Sequence, residues 1–223
     1  LWESIFQARG IGVIGGFTFH QMVFYYLLAP MAFKVTAGLQ MRVMFQDIYE
    51  GSLNKYLLYP LSYFHFKIIS QLTHSLNYLV QMIFAIIVYC SIFGIPAGIT
   101  FTVTNSLLAV LTLVVGSYLY FGIVCALEMV SFWADNVWTL TVLLRWLIYF
   151  LGGNLIPLSL FPQWSQEILN ILPFSGLISL PVNIFLGKIS ISTWASGVSI
   201  MIAWSIFFSF LNHLIWKRGN LQY

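Results

Sequence analysis

Charge is the first thing this sequence lacks. Lysine and arginine number 9, and aspartate and glutamate 6, so only 7% of the 223 residues are charged. A soluble domain carries about 25%. With 60% of its residues hydrophobic, the chain cannot present a surface to water, which excludes soluble enzymes and binding modules. A net charge of +3 gives no basis for a nucleic-acid partner. Cysteine is scarce too: Cys90 and Cys125 lie inside apolar runs, away from any metal-ligand spacing, and read as reduced core residues. A phosphate-binding Walker loop is missing, because Gly187-Lys188 is followed by Ile189 and Val182 stands where the first glycine belongs. Of four histidines, only His74 falls well within a span, which argues against a facing pair for haem. Internal repeats, heptads and low-complexity tracts are lacking, and no signal peptide is visible. The residues suggest neither a catalytic site nor a metal site. What remains is an all-α, multi-pass membrane protein of one domain, residues 1–223.

Residues 151–188 organise the chain. The stretch is nearly uncharged, yet it holds Pro157, Pro162, Pro173 and Pro181, with Gly152, Gly153, Gly176 and Gly187. Proline removes an amide donor and clashes with the preceding turn, so no single helix crosses here. In hydrocarbon a broken backbone survives only where protein or a water-filled cavity surrounds it. A span ending near Asn154 is expected, then two short helices over residues 160–185 that enter the membrane, turn near residues 172–176 and return. Pro162 suits the first turn of a helix running to about Leu172. A loop lying on the membrane surface is the other reading.

Spans are expected over residues 17–39, 68–93, 100–130, 138–154 and 191–216; a crossing needs about 20 residues, and 138–154 starts a span that feeds the broken stretch. Gly116 and Gly122 would allow close helix approach. Leu1 is not a methionine, and residues 1–6 read as the tail of an earlier span. Residues 40–67 are the most polar part, with Arg42, Asp47, Glu50, Lys55 and Lys67. Val43, Met44 and Ile48 keep helical spacing among polar residues, Gly51 stops the helix, and Ser52 suits the cap of the next turn. An amphipathic segment at the membrane interface follows. Lysine and arginine counts place it and the C-terminus inside, with Lys34, Arg42, Lys55, Lys67, Lys217 and Arg218; Arg9 and Lys188 then lie outside.

Two polar groupings stand within the spans. Ser70, His74, Asn77 and Gln81 form a stripe at helical spacing, suited to interhelical hydrogen bonds, a cavity wall or a subunit interface. Glu128 and Arg145 flank the turn at 131–137 on successive spans and suggest an intramembrane ion pair or, alternatively, a proton or substrate site.

Several segments resemble one family. They are Ile48-Tyr49-Glu50-Gly51-Ser52-Leu53 with the residues 57–60, Ser131-Phe132-Trp133, Ile156 through Pro162, Leu172-Pro173-Phe174, and Pro181 through Lys188. In order and spacing they are similar to the permease subunit of a bacterial ABC transporter of the type-2 exporter class, in a subfamily with an IPLSLFP-type motif. The resemblance implies a six-span permease in the bacterial inner membrane, its first span outside this sequence. It implies pairing with a second copy or a homologous permease in the lipid bilayer, and with ATP-binding cassette subunits that hold ATP and Mg; the chain itself would carry no cofactor. Residues 40–67 would be the coupling helix, with Asp47, Glu50 and Lys55 docking the ATPase. Residues 160–185 would be a re-entrant hairpin, with Ile168, Leu172 and Phe174 as an outer gate. Lipids, glycolipids, polysaccharides, peptides and drugs are all admissible cargo. The competing expectation is a secondary transporter or membrane-embedded enzyme that works alone around Glu128, Arg145 and His74.

Overall fold

The computed structural model describes residues 4–6, 12–38, 43–99, 101–134 and 137–219. Arg9, Arg42, Asp135 and the start of the amphipathic segment at 40–42 lie outside them. The described residues are mainly helical: α1 Phe19–Ala37, α2 Val43–Tyr49, α3 Tyr63–Phe93, α4 Val103–Glu128, α5 Trp138–Leu151, α6 Gln163–Ile171, α7 Ser175–Phe185 and α8 Ile191–Gly219. Short 3-10 turns at Ser52–Leu58, Met129–Phe132 and Leu158–Leu160 join them.

α4 is the axis of the fold, packed on α1, α3, α7 and α8. Its glycines permit this. A Cβ at Gly116 would stand 3.3 Å from Thr36 of α1, and one at Gly122 would stand 3.1 Å from Phe208 of α8. The core runs from Met22, Phe24, Tyr25 and Leu28 of α1 through Leu113, Leu119 and Tyr120 of α4 to Leu177, Ile178 and Met201. α1 begins with a capping box in which Thr18 and Gln21 satisfy each other's backbone amides.

Among the described residues, three helices are long and apolar enough to cross a membrane: Tyr63–Phe93, Val103–Phe132 and Ile191–Gly219. The expected spans at 17–39 and 138–154 do form helices, but neither has both attributes. α1 carries Gln21 and Lys34 and buries one face against the rest of the chain, leaving His20, Val23, Pro30 and Lys34 exposed on the other. α5 has 14 residues, about 21 Å at 1.5 Å per residue, against a hydrocarbon core of about 30 Å.

The proline-rich stretch breaks as its sequence requires. α6 and α7 meet at 107° across residues 172–174. Pro162 stands just before the first turn of α6. Pro181, however, lies inside α7. A proline at 181 cannot donate to the carbonyl of Leu177, one turn back. The hydroxyl of Thr36, wholly buried on α1, donates to that carbonyl at 3.0 Å. The break after α5 is served in the same way: Tyr25 donates to Gly153 O at 2.7 Å, Tyr26 to Leu155 O at 2.9 Å, and Ser179 N to Gly152 O at 3.1 Å. The surrounding protein thus supplies the donors and acceptors that lipid lacks.

Candidate functional site

The amphipathic segment folds into a compact bracket beneath one end of the bundle. α2 stops at Gly51, whose φ of 68° reverses the chain at no steric cost. The 3-10 turn follows, and the residues 63–67, expected to belong to the segment, already form the start of α3. Met44 and Ile48 of α2 and Leu53 of the turn pack on Tyr63, Cys125 and Met129, with Phe132 and Trp216 alongside. The Trp216 ring stacks on Tyr63 with 5.5 Å between centroids. The bracket therefore grips the ends of α3, α4 and α8 together.

Asp47 holds it shut. The sequence placed Asp47 on a docking surface; the structure turns it inward, 6% exposed. Its Oδ2 lies 2.5 Å from Lys67 Nζ and accepts from the Tyr63 hydroxyl at 2.9 Å. Its Oδ1 accepts from Ser52 Oγ at 3.0 Å, with Lys55 Nζ at 3.4 Å. Ser52 thus bonds Asp47 instead of capping the next turn, whose cap position is Gly51. Lys67 is as buried as Asp47, donates to the Tyr56 hydroxyl at 2.9 Å, and sits over the Tyr56 and Tyr63 rings. Burial alone would raise the Asp47 pKa; the hydrogen bonds from Lys67, Tyr63 and Ser52, with the Lys67 charge, outweigh it and hold the carboxyl below its ordinary range.

Glu128 supplies a second clamp. It is 1% exposed, and its Oε2 accepts from the backbone amides of Met44 at 2.9 Å and Phe45 at 3.2 Å, two donors of the first turn of α2. The expected pair with Arg145 does not form. Arg145 lies on an exposed face of α5 beside Trp146 and Leu147, while Glu128 turns inward to α2. His74 is exposed on α3, so Glu128, Arg145 and His74 do not share a centre.

Glu50 and Lys55 are exposed. Tyr49 at 68%, Leu58 at 87% and Tyr59 at 53% surround them with accessible apolar surface. On α3 the stripe Ser70, His74, Asn77 and Gln81 turns mostly outward. The helix's buried polar face is instead Lys67, Gln71 and Ser75. Gln71 donates to Ser117 O at 2.7 Å, and Ser75 and Ser117 hydroxyls lie 3.4 Å apart. On α6, Ile168 is exposed together with Trp164 and Ile171, three residues on one face. Phe174 does not join them; it packs on the main core, and Leu172 lines a neighbouring cavity.

Sequence reasoning missed Lys67, Tyr63 and Glu128 as the organisers of the bracket. The four-residue spacing of Tyr63, Lys67, Gln71 and Ser75 was the available signal, since i, i+4 positions stack along one side of a helix. It also missed a tie at the other end. Lys188 Nζ donates to Gly16 O at 2.6 Å and Gln21 Oε1 at 2.8 Å, and Gln21 donates to Ala97 O at 2.8 Å. Burial pushes the Lys188 ammonium pKa down.

A family model described as ABC-2 family transporter protein matches residues 1–223. No curated protein and no solved structure matches the chain.

Proposed function

Because the chain belongs to the ABC-2 transporter family, we propose that it is the permease subunit of an ATP-driven exporter. It carries cargo from the cytoplasm or inner leaflet across the bacterial inner membrane. A separate ATP-binding cassette subunit binds ATP and Mg and hydrolyses the nucleotide. A second permease, identical or homologous, completes the pathway. In this reading α1, α3, α4, α5 and α8 are the spans. α1 crosses with Gln21 and Thr36 on the face buried against other helices, away from lipid, and the ordered break after α5 completes its short crossing.

The observation that carries the proposal is the bracket itself. Its inner face is bonded to two helices through Asp47–Lys67 and Glu128, and its outer face offers Glu50, Lys55 and Leu58. A surface so placed, fixed to the membrane helices yet open outward, suits a part that receives force from an ATPase. The exposed α6 face of Trp164 and Ile168 then closes the outside against its counterpart in the second permease, with the outward α3 stripe free for subunit or lipid contacts. The rival reading, a transporter or enzyme working alone, needed Glu128, Arg145 and His74 in one place.

The decisive experiment is gentle solubilisation of the active protein from its native membrane. An ATP-binding cassette subunit should co-purify, and the double charge reversal Glu50→Lys, Lys55→Glu should release it. An active preparation without that subunit would overturn the proposal.

A further inference from the structure

A cavity of about 300 Å³ lies between α6, α7 and the first half of α8, at the opposite end of α8 from the bracket. Its lining is of two kinds. Asn170 of α6, Asn183 of α7 and Thr193 of α8 bring carboxamides and a hydroxyl; Leu180, Ile200 and Met201 bring aliphatic surface. Among the described residues no charged side chain lines it.

The polar groups have capacity to spare. Asn183 Nδ2 donates to Ser179 Oγ at 2.9 Å, which leaves its carbonyl oxygen available. Asn170, exposed on α6, makes no side-chain hydrogen bond to the described residues. Carboxamides and hydroxyls both donate and accept, so they match partners that do both. Aliphatic surface suits the C–H faces of such a partner. An ionised group would enter without a counter-charge, and burying it unpaired is costly. The volume sits at the low end of the range for ligand pockets, about 300–1,000 Å³. It suits one small ring.

We propose that this cavity binds a neutral, polyhydroxylated group the size of a single sugar ring, whether lipid-linked or free. Its place as a station for outgoing cargo rests on the permease reading; the binding itself does not.

The test uses the full-length protein in nanodiscs, without ATPase. Equilibrium binding is measured for hexyl β-glucoside, methyl β-glucoside and hexyl triethylene glycol. At least one glucoside should bind saturably. Asn170→Leu, which removes a carboxamide, should weaken it about fivefold, the worth of one neutral hydrogen bond, and Ser196→Phe, which fills the cavity from a different helix, at least as much; both positions are exposed. Binding of both glucosides assigns the site to a free sugar group, and binding of the hexyl form alone to a lipid-linked one. Equal binding of hexyl triethylene glycol overturns the proposal, as does undiminished binding in the folded variants or no saturable glucoside binding. Such a failure leaves the permease reading standing, since that depends on the co-purifying subunit.

Discussion

Replacing Thr36 with valine keeps the shape of a wholly buried side chain and deletes one hydroxyl. That hydroxyl is the donor to Leu177 O, the carbonyl that Pro181 cannot serve. Leaving a buried acceptor unpaired costs about 1–3 kcal/mol. Hydrogen bonds between membrane helices average about 0.6 kcal/mol and reach about 1.7. A loss of about 1–2 kcal/mol is therefore expected for Thr36→Val, read as the free energy of reversible unfolding in mixed micelles. The cause can be isolated, because Pro181→Ala restores an amide donor to the same carbonyl within α7. In the Pro181→Ala background the cost of Thr36→Val should fall to near zero. The wild type, two single variants and the double variant form a cycle whose coupling energy should be about as large as the single loss. Wild-type stability in Thr36→Val, or a loss that is additive in the double variant, would refute the reasoning.

The Asp47–Lys67 pair should behave as a buried ion pair. Lys67→Met leaves Asp47 uncompensated and should cost about 3–5 kcal/mol, with much of that recovered in Asp47→Leu, Lys67→Met. Because the Asp47 carboxyl is held below its ordinary value of about 3.9, its contribution is complete above that pH and disappears as pH falls below it. Thermal melts between pH 7 and pH 3 should lose stability steeply in the wild type and less steeply in Asp47→Asn. Cysteines at Asn54 and Arg218 should label only in permeabilised cells, and one at Ser190 in intact cells; reversal of that pattern would invert the topology. Gly219 is unsuitable for such a probe, since a Cβ there would collide with the Phe132 ring. Ile168→Ser on the exposed face of α6 should raise ATP hydrolysis uncoupled from transport in the assembled transporter, and unchanged coupling would remove that face from the gate.

The break into two short helices was legible in the sequence because proline and glycine act locally. Pro162 and Pro173 bound α6 within a residue or two of the expected limits, whatever surrounds them. The bracket was legible as an amphipathic segment ended by Gly51, but not as to which of its charges faced in. Periodicity states that two sets of residues lie on opposite sides; it does not say which side meets protein. Asp47 reads as a surface carboxylate until Lys67, twenty residues later, is placed beside it. Lys67 in turn reads as an interfacial cation when α3 is started at Ile68 instead of Tyr63. Glu128 was misassigned for a related reason. It bonds the backbone amides of Met44 and Phe45, a kind of group every residue carries and the sequence does not advertise, whereas Arg145 offered an obvious charge nearby. The same limit applied to Ser70, His74, Asn77 and Gln81. Gln71 and Ser75, one position away on α3, face the core.

α4 sits at the centre of the fold, yet the helices that cover much of it come later in the chain. Trp194 donates to Thr112 Oγ1 at 2.7 Å, and Asn212 donates to Gly122 O at 3.0 Å, both from α8. During synthesis α4 therefore leaves the ribosome well before these partners exist. Until α7 and α8 arrive, its polar positions must stay hydrated, meet lipid or be held by an insertion factor. A chain that stalls before α8 keeps those positions uncovered, which gives membrane quality control a physical mark by which to tell an unfinished chain from a complete one.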